Sequence, residues 1–355
     1  MKLEPQPEER AEFDVEELAR IYPPRWHHPN KKAVYSIACP EGAEAQSRIS
    51  YSRWQEMSLP SKIEWRPDSH RVEGREDVFD YLPAVSSDLA VEWHLNFADP
   101  RLFVAYSSGL FAQDEMQVAE HPALGSLKEA LEASGRSPFT VRNGKPTPIL
   151  IMGVPRHCRI EIDRNPAEGR PDGLYGSAFG RASVETVQRA ATRLVPPTLT
   201  NVIAMTALRP AIGKYSVDEI RFLLVTAFTA FQAAKLESTR DRSRGCQVII
   251  HTGFWGCGAF GGNRILMALL QVAASAMAGV DKLVFHTVDQ TGTRSLEQAL
   301  TTFETLLSTR SRASITDAFR ATLLRVFGRS RSISTLKFLS DTHALGFEWG
   351  RSDGN

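Results

Sequence analysis

The stretch "CQVIIHTGFWGCGAFGGNRILMALLQVAASAMAG", residues 246–279, decides how the chain is read. A short β-branched apolar run, "CQVIIH", passes through the loop "TGFWGCGAFGG" into a long amphipathic run, the order of a strand, a loop and a helix. From His251 to Arg264 the fourteen positions hold five glycines. Something approaches this backbone closely enough to exclude side chains. Amides at a helix start with no Cβ atoms in front of them form a natural anion site, above all for phosphate. Residues 256–261, "GCGAFG", also fit the G-x-G-x-x-G spacing of a dinucleotide-binding turn. That reading wants an acidic ribose partner at the end of the following strand, about 20 residues on. Asp281 precedes the strand "KLVFHTV" and Asp289 comes too late, so a nicotinamide or flavin oxidoreductase is the weaker alternative. A tight turn without a ligand, with Trp255 and Phe260 as core, is another.

Outward from this unit, "LAVEWHLNFA", "TPILIMGV", "LTNVIAMTAL" and "KLVFHTV" are further short apolar runs suited to buried strands. Helical patterns are expected at 126–134, 183–194, 217–236, 263–279, 295–308 and 314–327, and the alternation predicts a mixed or parallel sheet covered by helices. "DVEELARIYPPRWHH" predicts a short helix stopped by Pro23 and Pro24. From there to about Pro83 the chain reads as irregular with helical patches such as "YSRWQEMS".

With 355 residues, 42% hydrophobic and 23% charged, the chain has the composition of an ordinary soluble globular protein. A formal net charge of +1 gives no whole-chain footprint for nucleic acid or an acidic membrane. Cys39, Cys158, Cys246 and Cys257 form no C-x-x-C pair, so neither a zinc site nor a disulfide framework is indicated. An acidic N-terminus and the lack of any eighteen-residue apolar run argue against a signal peptide and a membrane span. A cytoplasmic monomer is the expectation.

The second informative stretch is "LNFADPRLFVAYSSGLFAQDEMQVAEHPAL", residues 95–124, where a strand ends at Asp99 and "AQDEMQVAEH" starts a helix closed by Pro122. Asp114 and Glu115 then sit in a first turn. There acids complement the helix dipole with no catalytic role required.

Together the two stretches resemble the poly(ADP-ribose) glycohydrolase (PARG) group of the macrodomain superfamily. The family's glycine loop reads T-G-x-W-G-C-G-A-F-G-G-D; here it is Thr252 to Asn263, with Phe254 and Asn263 as the substitutions. The family's catalytic segment runs F-A-N, three glycines, then Q-E-E, and here Phe97-Ala98-Asp99 is followed at the same spacing by Gln113-Asp114-Glu115. The helix "SITDAFRATLLRVF" also looks like the family's C-terminal helix. The resemblance implies a three-layer α/β/α macrodomain-like mixed sheet with an N-terminal helical extension, divided into residues 1–84 as accessory region and 85–355 as catalytic domain.

Two departures stand out. Phe103-Val104-Ala105 replace the three glycines, so side chains are expected to shield that backbone, and Asp99 replaces the asparagine. This pattern looks more like the divergent bacterial, effector-type branch acting on mono-ADP-ribosylated protein, arginine-linked, than like the enzyme trimming poly(ADP-ribose). The implied chemistry passes through an oxocarbenium-like transition state served by carboxylates, with Glu115 as general acid/base, Asp114 holding ribose hydroxyls and Asp99 as the third carboxylate. Gln113, Gly253, Trp255, Gly256, Cys257, Gly258, Ala259, Phe260 and Gly261 would line the ligand, the loop amides on the diphosphate and Phe260 on ribose. For adenine, Tyr175 and Phe179 in "DGLYGSAFG" are the candidates. The implied partners are ADP-ribose and an ADP-ribosylated protein, with no cofactor and no metal. His121, His251 and His286 are read as hydrogen-bonded structural groups. PARG activity proper, or an ADP-ribose-binding module without turnover, stays open beside the mono-ADP-ribosyl reading.

Overall fold

The computed structural model describes residues 5–40, 47–66, 71–81, 89–240, 245–308 and 331–350. In chain order the elements are β1 (Glu9–Asp14), α1 (Val15–Ile21), α2 (Pro29–Ala38), β2 (Arg48–Arg53), β3 (Lys62–Trp65), β4 (Arg71–Arg75) and β5 (Ala90–Ala98). Then follow α3 (Gln113–Glu120), α4 (Pro122–Ala133), β6 (Val141–Arg142), β7 (Lys145–Pro146), β8 (Ile149–Ile160), α5 (Ser177–Arg181), α6 (Val184–Ala190) and β9 (Ala191–Thr206). The described chain closes with α7 (Val217–Thr239), β10 (Gln247–Thr252), α8 (Arg264–Ala278), β11 (Lys282–His286), α9 (Gln290–Ser308), β12 (Arg331–Ser334) and α10 (Thr335–Ala344).

Eight strands form one mixed sheet in the order β1-β2-β8-β9-β5-β10-β11-β4. From β9 to β4 neighbours run parallel, and from β9 back to β1 they run antiparallel. The alternation along β5 sets the layers. Trp93 and Leu95 join the core under α7 and α8, with Leu224, Phe231, Leu266 and Leu270. Ala98 joins the opposite core with Ile149, Ile151, Val202 and the α4 residues Leu124 and Leu127. Helix α8 is apolar on nearly every side because it is covered by α7, α9 and the sheet. It starts at Asn263, whose side chain caps it, and stops at Gly279, left-handed at φ 65°. Helix α7 begins with a reciprocal pair, Glu219 N–H to Ser216 Oγ at 3.2 Å and Ser216 N–H to Glu219 Oε2 at 2.7 Å. No helix among the described residues is long and apolar enough to cross a membrane.

The three-layer α/β/α mixed sheet is as expected, but the region before residue 84 is more than helical and irregular. It supplies β1 and β2 at one edge of the sheet and β4 at the other, so no boundary at 84 divides the sheet. "YSRWQEMS" begins in β2 rather than in a helix. The runs at 147–154 and 199–208 belong to much longer strands, β8 and β9, whose outer parts form a ribbon exposing Val195 and Leu199; a reading tuned to buried runs misses such a ribbon. The helix expected at 183–194 accordingly stops at Ala190, where β9 begins. The pattern at 314–327 lies outside the described residues.

Because Ile49 of β2 is fully buried in the same core as α4, Ile49→Ala is expected to destabilise the whole domain by about 2–5 kcal/mol. Urea unfolding followed by tryptophan fluorescence should show one transition moved to lower denaturant. A low-midpoint transition appearing beside an unmoved main one would instead mark residues 1–84 as a separate unit.

Candidate functional site

Strands β9, β5, β10 and β11 end at one edge of the sheet, and β9 is where the parallel part meets the antiparallel part. Crevices at such a carboxyl edge are where α/β sheets take ligands. The acid-bearing segment leaves β5 there and the glycine loop leaves β10.

Much of the loop's glycine requirement is internal. Gly256 is left-handed at φ +73°, and a Cβ on it would come 2.4 Å from Ala207 Cβ at the end of β9. A Cβ on Gly262 would meet the Gly256 carbonyl at 2.7 Å, an oxygen that already accepts the Gly262 amide at 2.9 Å. The loop is pinned by Trp255, which is buried and donates Nε1–H to the Met205 carbonyl at 3.1 Å. Gln271 of α8 holds it from below, bonding Thr252 Oγ1 and donating to the Gly253 carbonyl at 3.0 Å. The helix start is not an open anion site. Asn263 Oδ1 accepts from Ile265 and Leu266 amides, each at 3.1 Å. Amides of Trp255, Cys257 and Gly261 close turns onto Gly253, Phe254 and Gly258, whereas those of Gly258 and Phe260 lie outside these turns. Phe260 is half-buried against the core and Ala259 is exposed. An anion at this edge would therefore meet the loop rather than the first turn of α8. Residues 346–350 lie over the loop's far side, with Gly350 N–H to Gly261 O at 2.8 Å and Asn263 Nδ2 to Glu348 O at 3.1 Å.

The acid segment is fixed to β5 by two amide side chains. Gln113 Oε1 accepts from Phe97 N–H at 2.7 Å while its Nε2 donates to the Leu95 carbonyl at 2.9 Å. Its amide is occupied by the strand, so Gln113 positions α3 rather than meeting a ligand. Asn96 Nδ2 donates to Asp114 Oδ1 at 2.9 Å, and Glu115 Oε2 accepts from Ala112 N–H at 3.0 Å. Asp114 and Glu115 are 7% and 4% exposed. Burial raises both carboxyl pKa values. The Glu115 charge raises that of Asp114 further, Asp99 adds to both, and the ammonium of Lys31 opposes. Asp99 itself is half-buried at the end of β5 and accepts Arg101 N–H at 3.1 Å.

The substituted triplet does not wall off its backbone as expected. Phe103 keeps a left-handed backbone at φ +52° and turns its ring fully into the core, leaving Val104, 45% exposed, as the side chain that projects. Phe179 is also core. It is fully buried and stacks on Phe111 at 4.0 Å and 13°, so it has no face for adenine. Tyr175 is 43% exposed, next to Gly176, whose backbone pairs with that of Phe111 just before α3. That pairing brings the tyrosine's segment beside the acid loop.

The histidines form a buried chain. His251 bonds His286 at 3.0 Å and Glu92 at 3.2 Å, His286 bonds Asp77 at 2.6 Å, and His94 stacks on His251 at 4.3 Å. Burial lowers the pKa of His94 and His286. Glu92, His94 and His251 each bring a donor atom within 4.8 Å of the others. However, both nitrogens of His251 are engaged, and its ring lies parallel to that of His94, so neither ring plane points at a shared ion without rotation. His121 bonds the Gln117 carbonyl and Thr200, a structural role as expected. Sequence reasoning missed Asn96 and Lys31. Asn96 had a signal, because Glu92, His94 and Asn96 are alternate polar positions in an otherwise apolar central strand.

Residues 174–295 match the family described as poly(ADP-ribose) glycohydrolase (PARG), macro domain fold. That stretch runs from the Tyr175 loop through β10 and the glycine loop to the start of α9, so the similarity to a glycohydrolase family of macro domain fold falls on the glycine-loop side of the site. Among solved structures the chain is similar to PARG from Thermomonospora curvata, at 20% identity over 80% of this chain and 88% of that one, with a TM-score of 0.44. It is also similar to PARG from Deinococcus radiodurans in complex with ADP-ribose, at 14% identity over 82% of this chain and 94% of that one, with a TM-score of 0.40. No curated protein matches the chain in sequence.

A carboxyl whose pKa is raised on folding binds its proton more tightly in the folded state, so stability falls as pH rises from the unfolded pKa toward the folded one. Glu115→Gln is therefore expected to raise the melting temperature at pH 8, with the gain vanishing near pH 4. Calorimetric scans at the two pH values check it; an equal gain at both would remove ionisation of Glu115 as the cause.

Proposed function

We propose that the protein releases ADP-ribose from mono-ADP-ribosylated protein, with arginine as the modified side chain, in a cytoplasmic setting. The observation that carries this reading is the buried Asp114–Glu115 pair, held at the end of β5 beside the β10 glycine loop with carboxyl pKa values raised by burial.

In the proposed reaction the protonated Glu115 carboxyl gives its proton to the leaving nitrogen as the bond from the anomeric carbon breaks. Water adds its oxygen to that carbon and returns a proton to Glu115, leaving free ADP-ribose and an unmodified guanidinium. Asp114, steadied by Asn96, holds ribose hydroxyls, and Asp99 adds negative charge near the developing cation. Loop amides around Gly256, Gly258 and Phe260 take the diphosphate, the Phe260 ring packs on ribose, and Tyr175 is the stacking partner for adenine. Val104, the exposed side chain of the segment that replaces the three glycines, is in this reading the group that would disfavour a second ADP-ribose unit, which favours a single unit. The retained Gln113-Asp114-Glu115 triplet favours turnover over a mere binding module, because a reader of ADP-ribose has no need of an acid pair.

Release of free ADP-ribose is to be measured from poly(ADP-ribose), arginine-linked and glutamate-linked mono-ADP-ribosyl protein, with wild type and Glu115→Gln. Arginine-linked substrate should be cleaved by wild type, with turnover in the variant lower by about 100-fold or more and ADP-ribose still bound in calorimetry. Cleavage confined to the polymer would assign PARG activity proper. Binding without release from any substrate would make the protein a reader of ADP-ribose.

A further inference from the structure

Helix α2 carries two adjacent lysines with opposite fates. Lys32 is exposed, whereas the side chain of Lys31 is fully buried. Its Nζ donates to the Tyr106 carbonyl at 2.8 Å and stands 5.1 Å from the ring centroid of Phe111 and 5.6 Å from that of Phe179, the two rings stacked on each other. Its position is enforced from three sides. Asn30 donates to the carbonyls of Phe179 and Ala182 at 2.6 and 2.9 Å. The amides of His27 and His28 bond the Ser107 carbonyl. Helix α2 packs against α3.

One carbonyl and two π faces do not compensate an ammonium taken out of water. Compensation requires negative charge, and helix α3, packed on α2, carries the buried carboxyls of Asp114 and Glu115, whose charges raise the Lys31 pKa. Of the other polar groups near it, the Tyr106 hydroxyl donates to Glu129, Arg181 of α5 is exposed and bonds Ser177, and the His28 ring packs on Phe179. Asp99 acts on the acid pair from the end of β5. Phe111, under the ammonium, directly precedes Ala112, the residue whose amide holds Glu115.

We propose that Lys31 is a positioning residue for the acid pair: its buried ammonium keeps one carboxylate of Asp114 and Glu115 ionised while the other carries the proton, and its bond to Tyr106 fixes the loop that delivers the first turn of α3. This rests on the reading of the pair as general acid and base. Burial lowers the pKa of Lys31 to about 7, while Glu115 and Asp114 push it back up, and burial moves both carboxyls the other way.

The test is carboxyl-carbon NMR titration of full-length wild type, Lys31→Met, Lys31→Gln and Lys31→Arg, labelled at Asp and Glu. Gln retains a donor for the Tyr106 carbonyl and separates lost charge from lost anchoring, and it also serves if Met folds poorly. The pair should titrate about 1 pH unit or more higher in Met and Gln, return toward wild type in Arg, and leave distant Glu237 unmoved. The acidic limb of the kcat profile on the best substrate should move the same way with KM little changed. Unmoved titration of the pair in a folded neutral variant would overturn the proposal. If wild type itself cleaves no substrate, the functional reading fails, while the titration still decides whether Lys31 sets the charge of the pair.

Discussion

The site depends on one side-chain amide. Pairing between β5 and β10 ends at His94, and just beyond it Gln113 takes the Leu95 carbonyl and the Phe97 amide, as a neighbouring strand would. The same residue is the first of α3. One amide thus ends the ladder, begins the helix, and sets where the next two residues, Asp114 and Glu115, must stand relative to the glycine loop. Everything assigned to the acids presupposes that joint.

Burial at this joint acts in opposite directions on opposite charges. It makes carboxylates harder to ionise and an ammonium harder to protonate, so groups that are far apart in water are drawn toward each other. Asp114 and Glu115 are raised and Lys31 is lowered by burial in this way, and the rings of Phe111 and Phe179 face the ammonium. A site of this kind can hold a proton and a carboxylate side by side near neutral pH, which glycosidic cleavage by acid and base requires.

The sequence made the chemistry more legible than the scaffold. Glycine spacing at Gly253–Gly262 and the Gln113-Asp114-Glu115 triplet are local patterns, readable without knowing what packs on them. The edge strands were not readable that way: "ERAEFD" and "RVEGR" are half-polar, and their identity comes from partners far along the chain. Lys31 was hidden for the same reason, since nothing in "PNKKAVYSIA" distinguishes the lysine under α3 from the one beside it in water. Phe103 shows the converse. A bulky residue in place of glycine suggested a blocked backbone, yet its ring had the core to enter and its φ stayed left-handed. Tyr175 and Phe179 were indistinguishable as aromatic candidates until tertiary packing placed one at the surface and buried the other.

The edges of the sheet have a consequence for how the chain is made. β4, residues 71–75, waits for β11, residues 282–286, and β2 at residues 48–53 waits for β8, which begins at residue 149. During vectorial synthesis both early strands leave the ribosome long before their partners exist, and such non-local pairing slows folding and leaves strand edges open to other chains. The charged side chains of these strands, Glu73 and Arg75 in one and Arg48 and Arg53 in the other, keep those segments charged in the interval, before their partners arrive.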